Sequence, residues 1–346
     1  MLEFKDYISD LPDLPFSNFI DLLESVEKEW KDKPAYLYRS GKQREFTVWS
    51  FRKYAEECRR IGRGLLAAGL SRGDRVVLWA ENRPEWNTVW MGSIIAGLVV
   101  VPVDFLVPEK ECLNIIKITG AKALMYSGRK RDFAASLAGS GVSLAAMVCI
   151  SGDEGKGSGA VPEWEQFGAG VEPQASLATT PAALPAVEDI PGDSPASIVF
   201  TSGTTGFAKG VTLSHKGIIS NTSAAIRSLV PVHDDVFVNV LPLHHTYPTT
   251  CSFMAPLSFG MTTIIVEKLV GKVVVDDIRD GGGTWLIAVP LLYDKVMAAL
   301  EQGYNKLPLI IRGPVNLLRK ISLAQAKKGR PGFGQRALKF IRKKAG

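Results

Sequence analysis

The chain has 346 residues, 46% of them apolar and 22% charged, an ordinary globular balance with enough length for a sizeable core and roughly two domain-sized units. Its longest apolar run, Met91 to Val101, is broken by Gly92, Ser93 and Gly97 and is too short to span a bilayer, so it reads as core. The net charge of +6 is unevenly placed: residues 301–346 hold twelve Lys/Arg against one Glu, a net of +11, which leaves −5 for the first 300 residues. The start, Met1-Leu-Glu-Phe-Lys-Asp, lacks a secretory layout, and Cys58, Cys112, Cys149 and Cys251 have no paired spacing. Both point to a cytoplasmic protein with reduced thiols, and no metal-ligand cluster is visible.

In chain order, Phe19, Leu22, Leu23, Val26 and Trp30 recur at helical spacing and predict an opening amphipathic helix. Ala35–Tyr38 and Glu45–Val48 flank Gly41 as a β-hairpin, and a helix from Trp49 to Ala68 stops at Gly69. A regular alternation follows. Val76–Trp79 is a strand, Pro84 starts a helix, Val99–Val103 is a buried strand, and Pro108 starts the next helix. Ala123–Tyr126 is a strand, Asp132–Leu137 a short helix and Ala146–Ile150 a strand. Strands separated by helices imply crossovers and a mostly parallel sheet covered on both faces.

Residues 151–191 are crowded with Gly, Ala, Pro and Ser, with Val161, Trp164 and Phe167 as their few apolar anchors, and read as an irregular linker. Ser197–Phe200 is a short buried strand. Beyond the stretch that it runs into, Lys216–Leu229 is helical, Val236–Val240, Thr263–Val266 and Trp285–Ala288 are strands, and Leu291–Gln302 is a helix.

That stretch is Thr201-Ser-Gly-Thr-Thr-Gly-Phe-Ala-Lys-Gly-Val211. Gly203 and Gly206 let the backbone turn its N–H groups toward one point. Thr201, Ser202, Thr204 and Thr205 add hydroxyls, and Lys209 adds a positive charge at the rim, a composition suited to a polyphosphate. It is not the common nucleotide P-loop, which needs Gly-Lys-Ser/Thr opening a helix; here Lys209 precedes a glycine and the β-rich run Val211–Ser214. An ordinary hairpin turn with solvated hydroxyls is the plainer alternative for any Gly/Ser/Thr loop, but eleven ordered positions are more specific.

The eleven residues resemble the phosphate-binding signature of the adenylate-forming (AMP-binding) superfamily, most closely the N-terminal part of a bacterial fatty acyl-CoA synthetase. Gly73-Asp-Arg-Val76 and Asn82-x-Pro-Glu-Trp86 are similar to further family motifs. Ala208 stands where the family usually has proline, which loosens the loop by under about 1 kcal/mol. The resemblance implies an α/β fold, an acetyl-CoA-synthetase-like N-terminal domain of stacked, mostly parallel sheets with helices on their faces and no C-terminal subdomain. It divides residues 1–346 into a first subdomain (70–150 and 192–230), a second intertwined with it (1–69 and 231–305), the 151–191 linker and a basic amphipathic tail (306–346).

By the same resemblance the full-length parent uses ATP, Mg2+ and coenzyme A to convert a medium- or long-chain fatty acid to acyl-adenylate and then acyl-CoA. Thr201, Ser202, Gly203, Thr204, Thr205, Gly206 and Lys209 would hold the nucleotide, with Thr205 near the magnesium that ATP carries. Leu241-Pro-Leu-His-His-Thr-Tyr-Pro248 is similar to the family's Leu-Pro-x-x-His segment. The resemblance as a whole gives His245 and Lys209 catalytic roles and sets His245, Tyr247, Val289 and Pro290 at the acid, while His244 reads as structural. Leu257–Met261 also falls where the family lines its acyl pocket, although any core wants such residues.

The family's later Tyr-Gly-x-Thr-Glu and Thr-Gly-Asp segments and second lysine are not found, so the chain reads as a truncated N-terminal portion. A non-catalytic fragment that binds ATP or acyl chain, and a fatty acyl-AMP ligase serving a carrier protein, are the alternatives. The tail reads first as a solvated basic helix and also allows a peripheral seat on the anionic inner membrane face, a homodimer is allowed, and nucleic acid is not expected.

Overall fold

The structure, a computed structural model, describes residues 13–40, 43–151, 164, 167–168, 183–201, 209–229, 231–305, 312–313 and 316. They belong to two units, Met1–Leu269 with Asp276–Ala288, and Val270–Val275 with Val289–Gly346. In order the elements are α1 (Phe19–Trp30), β1 (Pro34–Tyr38), β2 (Thr47–Ser50), α2 (Phe51–Ala67), β3 (Arg75–Trp79), α3 (Pro84–Ile95), β4 (Val99–Pro102), α4 (Glu109–Thr119), β5 (Ala123–Tyr126), α5 (Arg131–Ser136) and β6 (Ala146–Cys149). Then come β7 (Pro195–Thr201), β8 (Lys209–Ser214), α6 (His215–Leu229), β9 (Val236–Asn239), α7 (Thr246–Pro248), a π-helical stretch Thr249–Met254, α8 (Ala255–Ser258), β10 (Thr262–Ile265), α9 (Gly271–Gly281), β11 (Trp285–Leu286) and α10 (Pro290–Asn305).

In the first unit the strands form two sheets. One has the order β11-β9-β10-β1-β2, the other β6-β5-β3-β4-β7-β8. Every pairing is parallel except one edge pairing in each sheet, β1 with β2 and β7 with β8. The expected α/β fold of mostly parallel sheets is therefore present.

The alternation of side chains along β3 shows how the layers are sorted. Val76 and Leu78 join a large core with α1, α2, α3 and the five-stranded sheet. Val77 and Trp79 face the opposite way, into a smaller core with Cys112, Ile115 and Ile116 of α4 and Phe133 of α5. A strand buried on both faces has no polar side, which is why these strands read as continuous apolar runs. α3 is likewise buried nearly all round: Trp90 meets Phe19 and Phe253 edge-on, at centroid distances of 5.3 and 5.4 Å.

Where α2 crosses α3, the backbones touch. A Cβ at Gly92 would lie 2.6 Å from the Cys58 carbonyl oxygen, and one at Gly62 would lie 2.8 Å from the Gly92 oxygen. Only a residue without a side chain fits at either position.

Several expected boundaries shift. α2 begins at Phe51 rather than Trp49, because Ser50 caps it by accepting from the Lys53 N–H while Trp49 stays in β2. Pro108 precedes α4 instead of opening it. In the 151–191 stretch, Trp164 and Phe167 are buried: the Arg60 guanidinium lies over the Trp164 ring and donates to both residues' carbonyls. Farther on, Asn18 caps α1 with its side-chain oxygen and donates its amide to the Val187 and Ile190 carbonyls. Val161 lies outside the described residues.

In the second unit, α10 buries Leu292 and Val296 and exposes Leu291, Met297 and Leu300. The predicted basic tail lies almost wholly outside the described residues. Among those described, no helix is long and apolar enough to cross a membrane.

Candidate functional site

β7 pairs with β4 in parallel, Val100 opposite Ser197, and with β8 antiparallel from Pro195↔Ser214 to Thr201↔Lys209. Thr201 and Lys209 thus close the ends of one ladder, both exposed, with the Thr201 hydroxyl 3.5 Å from the Lys209 carbonyl oxygen. The glycine at 210 lets the Phe200 ring lie across its neighbour strand. Ser202, Gly203, Thr204, Thr205 and Gly206 connect the two strands and lie outside the described residues. Parallel strands that end together are where α/β sheets bind ligands, and β3, β4 and β7 lead at that edge to Asn82, Asp104 and Thr201.

Asn82 ties one motif to another. Its side-chain amide donates to the Leu241 carbonyl at 2.7 Å, and its oxygen accepts from the Leu243 N–H at 3.0 Å. The Asn82–Trp86 motif therefore holds the segment that carries His244 and His245. Downstream, the Thr249 hydroxyl lies 2.6 Å from the Leu243 oxygen and 2.8 Å from that of His245. The widened helical turns at Thr249–Met254 follow at once; such turns recur at functional sites. His245, Thr246 and Tyr247 are exposed on the segment so fixed.

His244 is more enclosed. Its ring lies 4.0 Å, centroid to centroid, from that of His245, and its Nε2 is 3.6 Å from an Asp104 oxygen, beyond hydrogen-bond reach. Burial first, and then the neighbouring His245, lower its pKa to about 4, against the opposing pull of Asp104. It is neutral at physiological pH.

A cleft of about 270 Å³ opens beside these elements. It is lined by Ser197 and Val199 of β7, Leu213 of β8, Gly217, Ile218 and Asn221 of α6, Trp90 of α3, Pro102 of β4, and Thr246, Thr249 and Thr250. The Asn221 amide donates to the Thr250 hydroxyl at 3.2 Å. The lining is mostly apolar with a few polar groups, the usual make-up of a small-molecule site.

The structure therefore brings the flanks of the signature and the residues after His245 to one cleft. Leu257 and Met261 are buried and are not among its walls. Tyr247 is 57% exposed. Val289 and Pro290 belong to the second unit and are exposed there. Ser197, Asp104, Asn221 and Thr249 were not singled out from the sequence; Asn82 was visible only as part of a motif. Among the described residues no group of three or more His, Cys, Asp or Glu could hold a metal, and Thr205 lies outside them.

Three comparisons place the chain among known proteins. A family profile described as AMP-binding enzyme matches residues 23–326. A crotonobetaine/carnitine–CoA ligase of Citrobacter koseri is 25% identical over 287 residues, covering 81% of this chain and 52% of the relative. The chain thus spans about half the length of the curated relatives it matches. Among solved structures, ATP-bound MatB from Rhodopseudomonas palustris is 25% identical with a TM-score of 0.64, covering 80% of this chain and 50% of that one. The inhibitor-bound N-terminal domain of FACL13 from Mycobacterium tuberculosis is 22% identical with a TM-score of 0.65, covering 81% and 64%.

Proposed function

This chain belongs to the AMP-binding enzyme family, and on that premise we propose that it carries the acid-activating part of an AMP-forming acid–CoA ligase. The observation that supports this most is the cleft: β7 and β8, which bracket the Thr201–Val211 signature, form one wall, and Thr246–Thr250, next to His245, forms another.

The reaction needs no protein nucleophile and no general base, because a carboxylic acid is already ionised at neutral pH. A carboxylate oxygen attacks the α-phosphorus of ATP, the bond to the bridging oxygen breaks, and pyrophosphate leaves with its electron pair. The coenzyme A thiol then attacks the acyl carbon and AMP leaves. Catalysis is alignment and the balancing of phosphoryl charge. In this reading Thr201, Ser202, Thr204 and Thr205, with the amides of Gly203 and Gly206, hold the β- and γ-phosphates, and Lys209 offsets their charge. His245 and Tyr247 are proposed for the acid; the proposal of Val289 and Pro290 for its tail rests on the sequence alone. Magnesium would arrive on the nucleotide; the described residues offer no site of their own for it, and no step here depends on one.

The two-subdomain division, a cytoplasmic location, membrane contact through the 306–346 tail and a homodimer stand as further proposals resting on the sequence. A second reading is a module that binds acid and nucleotide without turnover.

Carboxylate-dependent ATP–pyrophosphate exchange, measured from acetate to palmitate, tests the first reading. We expect acid-dependent exchange, reduced at least about tenfold by Lys209→Ala with little change in stability, since Lys209 is exposed. Equal exchange in the two proteins overturns the role of Lys209. Binding of acid and ATP without exchange supports the second reading.

A further inference from the structure

Helix α10 has apolar residues on two neighbouring faces, and only one face is covered. Leu292 and Val296, one turn apart, are buried, and Gly271 of the same unit lies against the Lys295 carbonyl and Ala299 beside them. About a quarter turn round the helix, Tyr293, Met297, Leu300 and Tyr304 recur at i, i+4, i+7 and i+11, the spacing of a stripe that packs on another helix. Met297 is 49% and Leu300 47% exposed. Asp294 and Glu301 fall along the far border of this stripe.

The chain turns back beside the end of the stripe. Residues 306–311 lie outside the described ones, and beyond them Arg312, Gly313 and Asn316 are helical. The Tyr304 hydroxyl donates to the Arg312 carbonyl at 3.3 Å. The Arg312 guanidinium lies 5.9 Å over the Tyr304 ring and donates to the Asn305 carbonyl. A connection of this length is usual between antiparallel helices.

The sequence that follows is complementary to the stripe. Leu317, Leu318, Ile321 and Ala324, outside the described residues, recur at the spacing of one helical face. Arg319, Lys320 and Lys327 fall off that face and are opposite in charge to Asp294 and Glu301. Length agrees as well: from Arg312 to Ala324 a helix runs about 18 Å at about 1.5 Å per residue, enough to reach from Tyr304 back to Tyr293.

We infer that residues 314–324 of this chain occupy the α10 stripe, packed antiparallel on Tyr293, Met297, Leu300 and Tyr304 as the second helix of a hairpin. The inference is independent of the acid-activating reading. It narrows the role of the tail, because Leu317, Leu318 and Ile321 are taken up by α10 and only the charges of this stretch remain for an anionic membrane surface.

Hydrogen exchange of the whole chain, read on peptides within 314–324, tests it, with light scattering for the mass and vesicles of phosphatidylserine and phosphatidylcholine as the lipid probe. We expect the wild-type monomer, without vesicles, to exchange these amides about tenfold or more slowly than Leu300→Asp, which puts a charge into the stripe. Ile321→Asp should lose the protection from the other side. Leu291→Asp, exposed on a different face of α10, should keep it. Unchanged exchange in β3 and β4 certifies the fold of each variant. Fast exchange of 314–324 in the wild type, protection that survives both Leu300→Asp and Ile321→Asp, a dimer that Leu300→Asp dissociates, or protection that requires vesicles overturns the inference.

Discussion

The seam between α2 and α3 and the wall of the cleft at Leu241–Thr250 hold their shapes by different means. In the seam, Gly62 and Gly92 bring two helix backbones into contact, with Cys58 and Ile61 packed around them. The Tyr54 hydroxyl of α2 donates to the Asn87 carbonyl of α3 at 3.3 Å, but where the two glycines meet the fit is one of volume. In the wall, the backbone follows an irregular path that volume alone would not fix. Its carbonyls and N–H groups are held one by one, by Asn82 and by the Thr249 hydroxyl. A seam of the first kind has no slack for an extra atom. A wall of the second kind can lose a hydrogen bond and still leave a folded protein, which suits a segment that must meet a ligand.

Gly92→Val is the harshest way to test that contrast. Its Cβ would sit 2.6 Å from the Cys58 carbonyl oxygen, a backbone atom that cannot swing away as the end of a flexible side chain can. We expect a loss of about 3 kcal/mol or more, the upper end of what overpacking costs, read from urea unfolding. A loss below about 1 kcal/mol would show that the helices separate easily and that the seam is no more rigid than the wall.

Two histidines sharpen the comparison through pH. His215 and His244 both have pKa values lowered to about 4, chiefly by burial, assisted by Arg72 in one case and His245 in the other. His215 belongs to the core: its Nδ1 accepts from the Phe19 N–H at 3.3 Å and its ring lies against Phe19. A histidine that stays neutral in the fold but protonates near pH 6.5 when unfolded adds no pH dependence above that value. As pH falls from about 6.5 to 4, the unfolded chain gains the proton and the fold loses stability, by up to about 3 kcal/mol for a shift of this size. His215→Asn keeps an acceptor near Nδ1 and cannot titrate, so its stability should fall less over that window. Parallel pH curves for the two proteins would remove His215 as a source of acid sensitivity.

The same contrast explains what could be read in the sequence. Periodicity found α1, the β3–β6 alternation and α6 because their side chains are sorted by apolar layers, and the glycine-rich signature marked the end of β7. α9 escaped notice: its run Val273-Val-Val275 favours strand by propensity, and only in the fold does Val274 become buried while Asp277 pairs with Arg39. The turns from Thr246 to Ser258 were hidden by Pro248, Pro256 and a run of Thr, Ser and Cys that carries no helical period.

Asn82→Ala is the mildest of these changes and the most specific to the wall. It deletes the donor to the Leu241 carbonyl and the acceptor of the Leu243 N–H together. At about 0.5–1.5 kcal/mol for each net hydrogen bond, the stability loss should be about 1–3 kcal/mol, smaller than that of Gly92→Val. Asn82→Asp separates the two bonds, because a carboxylate can still accept from Leu243 but cannot donate to Leu241, and it should fall between wild type and alanine. If the wall holds the cleft in shape, acid binding should weaken in the same order, less in Asn82→Asp than in Asn82→Ala. Acid affinity unchanged in Asn82→Ala would mean that Thr249 and the turns behind it suffice, and that the clamp between the two motifs serves the fold rather than the site.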